Sequence, residues 1–259
     1  MQLHPVTLRT TMMESKKTVC TFGVIPARLA SSRLPRKVLR TIAGRPMLAW
    51  VYEAARACPQ LDELVVATDS EEIAALCEAS GWPFVMTSPE LQSGSDRVFA
   101  VAQEFPAEIY VNIQGDEPML RPEHIGALLA PFAHPGVQVT TLKVPCAPTD
   151  IANPNAVKVV TGLDGRALYF SRSPIPYDRD RVGPAVWKHQ GFYAYRADAL
   201  SRFHGLQPSP LERTERLEQL RFLENGIDIH VAETRYHTIG VDTEDDLRAV
   251  EQILLHRKD

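Results

Sequence analysis

Long apolar runs are missing from this sequence. No stretch approaches the roughly 18 residues that a membrane-crossing helix needs. The first residues, MQLHPVTLRTTMMESKKTV, also lack the extended apolar core of a secretory signal. Cysteine is scarce: four in 259 residues, at 20, 58, 77 and 146, with no CxxC or Cys/His spacing. That argues against a disulfide framework or a zinc site and for buried free thiols in a reducing cytoplasm. A basic excess is missing too, since 28 Lys and Arg face 32 Asp and Glu for a net charge of −4. A nucleic-acid binder would want a basic face, so neither nucleic acid nor membrane is expected as a partner. Neither GxGxxG nor GxxxxGK[ST] occurs, which removes both standard glycine-rich phosphate cradles. There is no internal repeat and no low-complexity segment.

Against this acidic background one stretch stands out, GVIPARLASSRLPRKVLR at 23–40. From Arg28 to Arg40 it carries five basic residues and no acid. It follows CTFGVI (20–25), which reads as a buried strand, so its partner should be local: a small anion. Guanidinium forks grip phosphate oxygens bidentately and lysine acts as a point charge, which makes Arg28, Arg33 and Lys37 candidate phosphate ligands. The competing reading is a solvated basic loop. The loop's position after a strand, and the lack of any neutralising acid, count against it.

The rest of the first half alternates strand and helix. PMLAWVYEAARACP (46–59) sets Leu48, Val51, Tyr52 and Ala55 on one helical face. ELVVATD (63–69) is a strand, and SEEIAALCEASG (70–81) a helix capped by Ser70 and ended by Gly81. PFVMT is a short strand, SGSDRVFAVAQEF a helix, EIYVNIQGDEP (108–118) a strand ending in acids and PEHIGALLAPF (122–132) a helix. This order predicts a mostly parallel sheet covered by helices. After about residue 137 the rhythm changes to VQVTTLKVP, AVKVVTG, GRALYFSR and WKHQGFYAYR, strands with short links that predict a smaller antiparallel region over about 137–196. RADALSRF, SPLERTERLEQLRFLENG and TEDDLRAVEQILLHR read as helical, IDIHVAE as a strand between them. We expect a disordered extension at 1–18 and a single domain over 19–259.

In open parallel sheets ligands sit beyond the carboxyl ends of the strands, and the acids fall there. Asp116, in NIQGDEP, could hold Mg²⁺, which takes one or two carboxylates plus substrate phosphates. Taken alone, the stretch is better explained as a turn. In GVDTEDDL, Thr243 and Asp246 have capping-box spacing; Asp242 reads as part of that cap or as a second metal carboxylate, and both can hold at once because capping needs only one of these side chains. By strand alternation HQGFYAYR puts His189, Gly191, Tyr193 and Tyr195 on one face, ordinarily half-buried structure. Glu218 and Gln219 of LEQLR lie in a predicted helix, by default a solvated face.

Together IPARLASSRLPRK, VVATDSEEI, QSGSDR, VNIQGDEPM, NPNAVKVV, ALYFSRSPIPYDRDR, HQGFYAYR, SPLERTERLEQLR and GVDTEDDL, spanning about 20–250, resemble the 3-deoxy-manno-octulosonate cytidylyltransferase (CMP-Kdo synthetase) family. The resemblance implies a Rossmann-like nucleotidyltransferase fold and a homodimer formed through the smaller β region. It implies a cytoplasmic, Mg²⁺-dependent reaction of CTP with Kdo to CMP-Kdo and pyrophosphate, for lipopolysaccharide biosynthesis. Carried over by motif, Arg28, Arg33 and Lys37 hold the triphosphate. Ala27, Gln92, Ser93, Gly94 and Gln114 line the nucleotide site, and Asp116 and Asp242 bind the metal. Arg172, His189, Tyr193, Glu218 and Gln219 hold the acidic sugar, and Arg28, Lys37, Asp116 and Asp242 are the catalytic set. A cytidylyltransferase for 8-amino-Kdo or another 2-keto acid sugar would use the same residues. A metal-dependent sugar-nucleotide glycosyltransferase would leave the basic loop unexplained. The chain departs from the family's RLPGKPL by reading RLPRKVL. Arginine does not readily take the positive φ that glycine tolerates, so Arg36 and Val38 are expected to change how the phosphate loop closes. Ser95, where Thr is commoner, is a mild change.

Overall fold

A computed structural model of the chain describes residues 19–29, 31, 33–91 and 93–256. The expected extension at 1–18 lies outside the described residues. The chain divides into two compact units, one of residues 1–125 with 238–259 and one of residues 126–237.

In the first unit β1 (Val19–Ala27) runs into the basic loop. A two-strand hairpin follows, β2 (Thr41–Ile42) and β3 (Arg45–Pro46). Its turn residues Ala43 and Gly44 have φ of 48° and 79°, and no periodic pattern announces so short a pair. Then come α1 (Met47–Arg56), β4 (Glu63–Thr68), α2 (Glu71–Ser80), β5 (Phe84–Met86), α3 (Gly94–Glu104) and β6 (Ala107–Asn112), and α4 (Pro122–Leu129) begins in this unit and ends in the second. The four longer strands are all parallel, in the order β5-β4-β1-β6. Because β1 lies between β4 and β6, the strand order reverses there. A crevice opens beyond its carboxyl end, where open α/β sheets bind ligands.

Local sequence explains why these elements form where they do. Leu48, Val51, Tyr52 and Ala55 are all buried, as the 3.6-residue spacing of α1 requires. Ser70 accepts a hydrogen bond from the Ile73 amide and caps α2, which Gly81 closes at φ 68°. Ser93 and Asp96 form a capping box at the start of α3. The C-terminal helix (Glu244–His256) returns to this unit. Its Leu247, Val250 and Leu254 join Leu34, Ile42, Met47 and Val241 in one buried cluster, so the last helix packs against the basic loop's own Leu34.

The second unit is built on β7 (Val139–Pro145), β8 (Lys158–Thr161), β9 (Ala167–Ser171), β10 (Trp187–Arg196) and, after three helices, β11 (Ile229–Glu233). β7, β10, β8 and β9 pair antiparallel in that order, and β11 adds parallel to β7. The antiparallel region expected after residue 137 is present. Between β10 and β11 lie α5 (Ala197–His204), α6 (Pro210–Glu215) and α7 (Leu220–Glu224). One correction falls here. The stretch SPLERTERLEQLRFLENG is not one helix, because Arg216 takes a left-handed φ of 56° and stops α6. Glu218 and Gln219, expected within a helix, stand in the turn before α7.

The cysteine expectation also needs correcting. All four thiols are free, but only Cys58 and Cys77 are buried, whereas Cys20 is exposed and Cys146 partly so. Burial pushes the Cys77 thiol up to about 12, which makes it inert as a nucleophile. Among the described residues no helix is long and apolar enough to cross a membrane.

Candidate active site

The crevice beyond β1 is lined by Pro26, Arg28, Ser31, Arg33, Lys37, Val38, Ser93, Gly94, Arg97, Gln114, Gly115, Asp116 and Asp242. The basic loop therefore shares one cleft with both candidate metal acids, although those acids are far apart in the chain. Val241 N donates to Asp116 O at 2.9 Å, fastening the two acid-bearing segments together. Gly115 sits so close to β1 that a Cβ there would stand 2.9 Å from Pro26 O.

Lys37 is the centre of the charge pattern. Its Nζ donates to Asp116 Oδ2 at 2.5 Å and to Asp242 Oδ1 at 2.9 Å, while Arg33 Nη2 donates to Asp242 Oδ2 at 2.9 Å. Burial works to lower the Lys37 pKa, but the two carboxylates outweigh it and the net shift is upward, so the side chain is an ammonium at neutral pH. The two readings of Asp242 separate cleanly. Asp246 N donates to Thr243 Oγ1, and Asp246 Oδ2 accepts from Thr243 N. The cap is therefore the Thr243–Asp246 box, and the Asp242 carboxylate faces Lys37 and Arg33 instead.

This donor set suits Mg²⁺. Two hard carboxylates already meet around a cationic head, and Mg²⁺ takes one or two carboxylates plus substrate phosphates. Among the described residues there is no group of three or more His, Cys, Asp or Glu that could hold a metal. The remaining ligands would therefore be phosphate oxygens and water.

The left-handed backbone that glycine would tolerate at position 36 is present although the residue is arginine. Arg36 adopts the left-handed conformation itself, at φ 57° and ψ 33°, and its guanidinium pairs with Glu72 at the start of α2. Lys37 follows at once in a 3₁₀ turn (Lys37–Leu39), with Val38 buried beneath. A left-handed non-glycine residue costs about 1–2 kcal/mol, and an exposed ion pair returns about 0–1 kcal/mol. Arg36→Gly is therefore expected to be about 1 kcal/mol more stable than Arg36→Ala in urea denaturation. Equal stabilities would mean the backbone at Arg36 is unstrained.

Among the other nucleotide candidates, Ser93, Gly94 and Gln114 line the cleft. Ala27 is buried at the end of β1 and is not among the lining residues, its place being taken by Pro26. Gln92 lies outside the described residues. Sequence reasoning passed over Arg97, which is 2% exposed yet lines the cleft. Its Nη2 donates to Asp69 Oδ2 at 2.6 Å and its Nη1 to Thr87 Oγ1. The signal was available: an arginine directly after the SGSD cap and an aspartate at the end of the preceding long strand.

The five sugar candidates all belong to the second unit. β10 carries an irregularity in which Gln190 pairs with Leu142 but Tyr193 with Thr141. Two extra residues enter, so parity is kept and His189, Tyr193 and Tyr195 still share a face. Their rings follow one another, His189 to Tyr193 at 5.5 Å, Tyr193 to Tyr195 at 5.9 Å and Tyr195 to Phe222 of α7 at 5.9 Å. This ladder leads to the turn that holds Glu218 and Gln219. Arg172 reaches the same turn, but through main-chain carbonyls: its guanidinium donates to Glu215 O, Pro154 O and Arg216 O.

Burial pushes His189 down to about 3, so it is neutral at pH 7 and lies 2.8 Å from Thr141 Oγ1 through Nε2. Its ordinary value is about 6.5. Between these limits the unfolded chain takes up a proton that the folded chain refuses, so stability falls as pH drops from about 6.5 toward 3. His189→Gln is expected to flatten the fall of Tm with pH over that window. An unchanged acid slope would assign the loss to other groups.

A sequence profile of the Cytidylyltransferase family matches residues 22–229. The 3-deoxy-manno-octulosonate cytidylyltransferase of Acidobacterium capsulatum is 67% identical over 237 residues, 91% of this chain and 97% of that protein. The enzyme of the same name from Koribacter versatilis is 61% identical over 241 residues, 93% of this chain and 92% of that one. A solved CMP:2-keto-3-deoxy-manno-octonic acid synthetase, complexed with CTP, superposes with a TM-score of 0.88 at 42% identity, covering 91% of this chain and 98% of that chain. With both the sequence profile and near full-length relatives in agreement, the chain belongs to the 3-deoxy-manno-octulosonate cytidylyltransferase family of nucleotidyltransferases.

Proposed function

We propose that this chain transfers CMP from CTP to 3-deoxy-D-manno-octulosonate (Kdo), releasing pyrophosphate, in lipopolysaccharide biosynthesis. The observation that carries the reading is the gathering of Arg28, Arg33 and Lys37 with Asp116 and Asp242 in one cleft. Three positive charges beside two acids suit a triphosphate and a metal together.

Nucleotidyl transfer needs positioning and charge neutralisation more than covalent help from protein. Asp116 and Asp242 would hold Mg²⁺, which supplies neutralising charge to the phosphate oxygens. Arg28, Arg33 and Lys37 bind the phosphates and take the charge that builds on the departing pyrophosphate. Ser93, Gly94 and Gln114 line the place for the ribose and base. The anomeric hydroxyl of the sugar attacks the α-phosphorus. His189, Tyr193, Glu218 and Gln219 orient the sugar, and the neutral imidazole serves as a hydrogen-bonding group. Arg172 supports the turn that carries two of them.

The workplace is the cytoplasm, where CTP is made. A homodimer through the second unit is supported by the exposed apolar side chains of Leu163, Leu168, Tyr177 and Val182, which all fall within one short span. Sedimentation at micromolar concentration tests it, and a monomer would contradict it.

The activity is tested by CTP-dependent pyrophosphate release with Kdo, 8-amino-Kdo, other 2-keto acid sugars and no sugar. Release with Kdo well above the other arms is expected. Preference for another acidic sugar would replace Kdo in the assignment, and silence in every arm would reject it.

A further inference from the structure

Lys37 does more here than wait for phosphate. One ammonium donates to both acids, at 2.5 Å to Asp116 and 2.9 Å to Asp242. Its side chain is only 14% exposed, against 31% and 44% for the carboxylates. A Mg²⁺ ion binds carboxylate oxygens at about 2.0–2.1 Å, so an ion shared by these two would claim nearly the position that Nζ holds. Two cations brought that close repel strongly in a partly buried site. Arg33 adds to the block by holding the second oxygen of Asp242. The lysine head rides on a flexible four-carbon stem and can swing, whereas Asp116 is fixed by the turn packed against Pro26.

We infer that Lys37 is the resident counter-ion of the Asp116–Asp242 pair in the nucleotide-free enzyme. It excludes free divalent cations until a triphosphate draws the ammonium away. The inference rests on the reading of these two acids as the metal ligands. It adds an order of events: the metal enters with the nucleotide and not before it. A consequence is that the empty enzyme holds its acids neutralised and does not gather stray cations.

Mn²⁺ serves as the probe, titrated by electron paramagnetic resonance into nucleotide-free protein. Wild type is expected to bind weakly. Lys37→Met is expected to bind about tenfold tighter or more, with a Tm raised by Mn²⁺ where that of wild type is not. Lys37→Gln, a neutral and hydrated head, should behave alike and guards against a variant that merely misfolds. If neither variant binds more tightly than wild type, the counter-ion role is overturned. Should Mn²⁺ still bind wild type in the presence of CTP, and lose that binding in Asp116→Asn, the metal role of the acids survives that result. If Lys37→Met combined with Asp116→Asn and Asp242→Asn binds as tightly as Lys37→Met alone, the acids are not the ligands and both readings fall.

Discussion

Asp116→Asn lowers kcat by about a thousandfold or more, with little change in the folded structure. Asparagine keeps the shape and one oxygen but removes the charge. Groups that neutralise a developing phosphate charge supply several kcal/mol of transition-state stabilisation, and a loss of about 4 kcal/mol is about three decades in rate. Lys37 retains Asp242 as a partner at 2.9 Å, so the loop keeps one anchor. The decisive readout is steady-state pyrophosphate release alongside thermal melting. A kcat near wild type would remove Asp116 from the chemistry. A collapse of Tm in parallel with the rate would make it a structural residue.

Lys158→Met destabilises the chain by about 3 kcal/mol or more, an effect unrelated to the cleft. Lys158 is fully buried, and its Nζ donates to Asn153 O at 2.9 Å, Ala156 O at 2.5 Å and Arg172 O at 2.7 Å. A buried acceptor left without its donor costs about 1–3 kcal/mol, and here three are orphaned at once. Burial lowers the lysine's pKa, so part of that penalty is offset by removing a charge that is unfavourable to bury. For a chain of this size about 3 kcal/mol corresponds to a fall in Tm of about 6–12 °C. Methionine matches the stem and isolates the loss of the ammonium. A Tm within a degree or two of wild type would show that water satisfies these carbonyls. The variant also tests the frame around Arg172, whose carbonyl is one of the three and whose guanidinium supports the Glu218 turn.

The residues that were legible are those whose chemistry is local. The alternation of apolar runs gave the parallel sheet, and α1 obeys its helical spacing residue for residue. The basic loop declared itself because charge of one sign stood alone after a strand. Its meeting with Asp116 and Asp242 was expected from the family resemblance, since no local pattern links positions so distant in the chain. What could not be read depends on backbone states that side-chain type does not dictate. Arg36 and Arg216 both take the left-handed conformation, at one point in a loop where arginine was expected to resist it and at the other breaking a helix expected to continue. The burial of Lys158 and Arg97 was hidden for a related reason. Charged residues are assigned to the surface by default, and only tertiary contacts with carbonyls or an aspartate make an interior position tolerable.

The C-terminal helix, whose Leu247, Val250 and Leu254 pack against Leu34 and Met47, has a consequence for biosynthesis. Asp242 stands just before that helix, and the ribosome adds it after the basic loop and Asp116. A nascent polypeptide carries its basic loop and Asp116 while still lacking the second carboxylate. Until residue 242 has been added, Lys37 has only Asp116 of its two carboxylate partners.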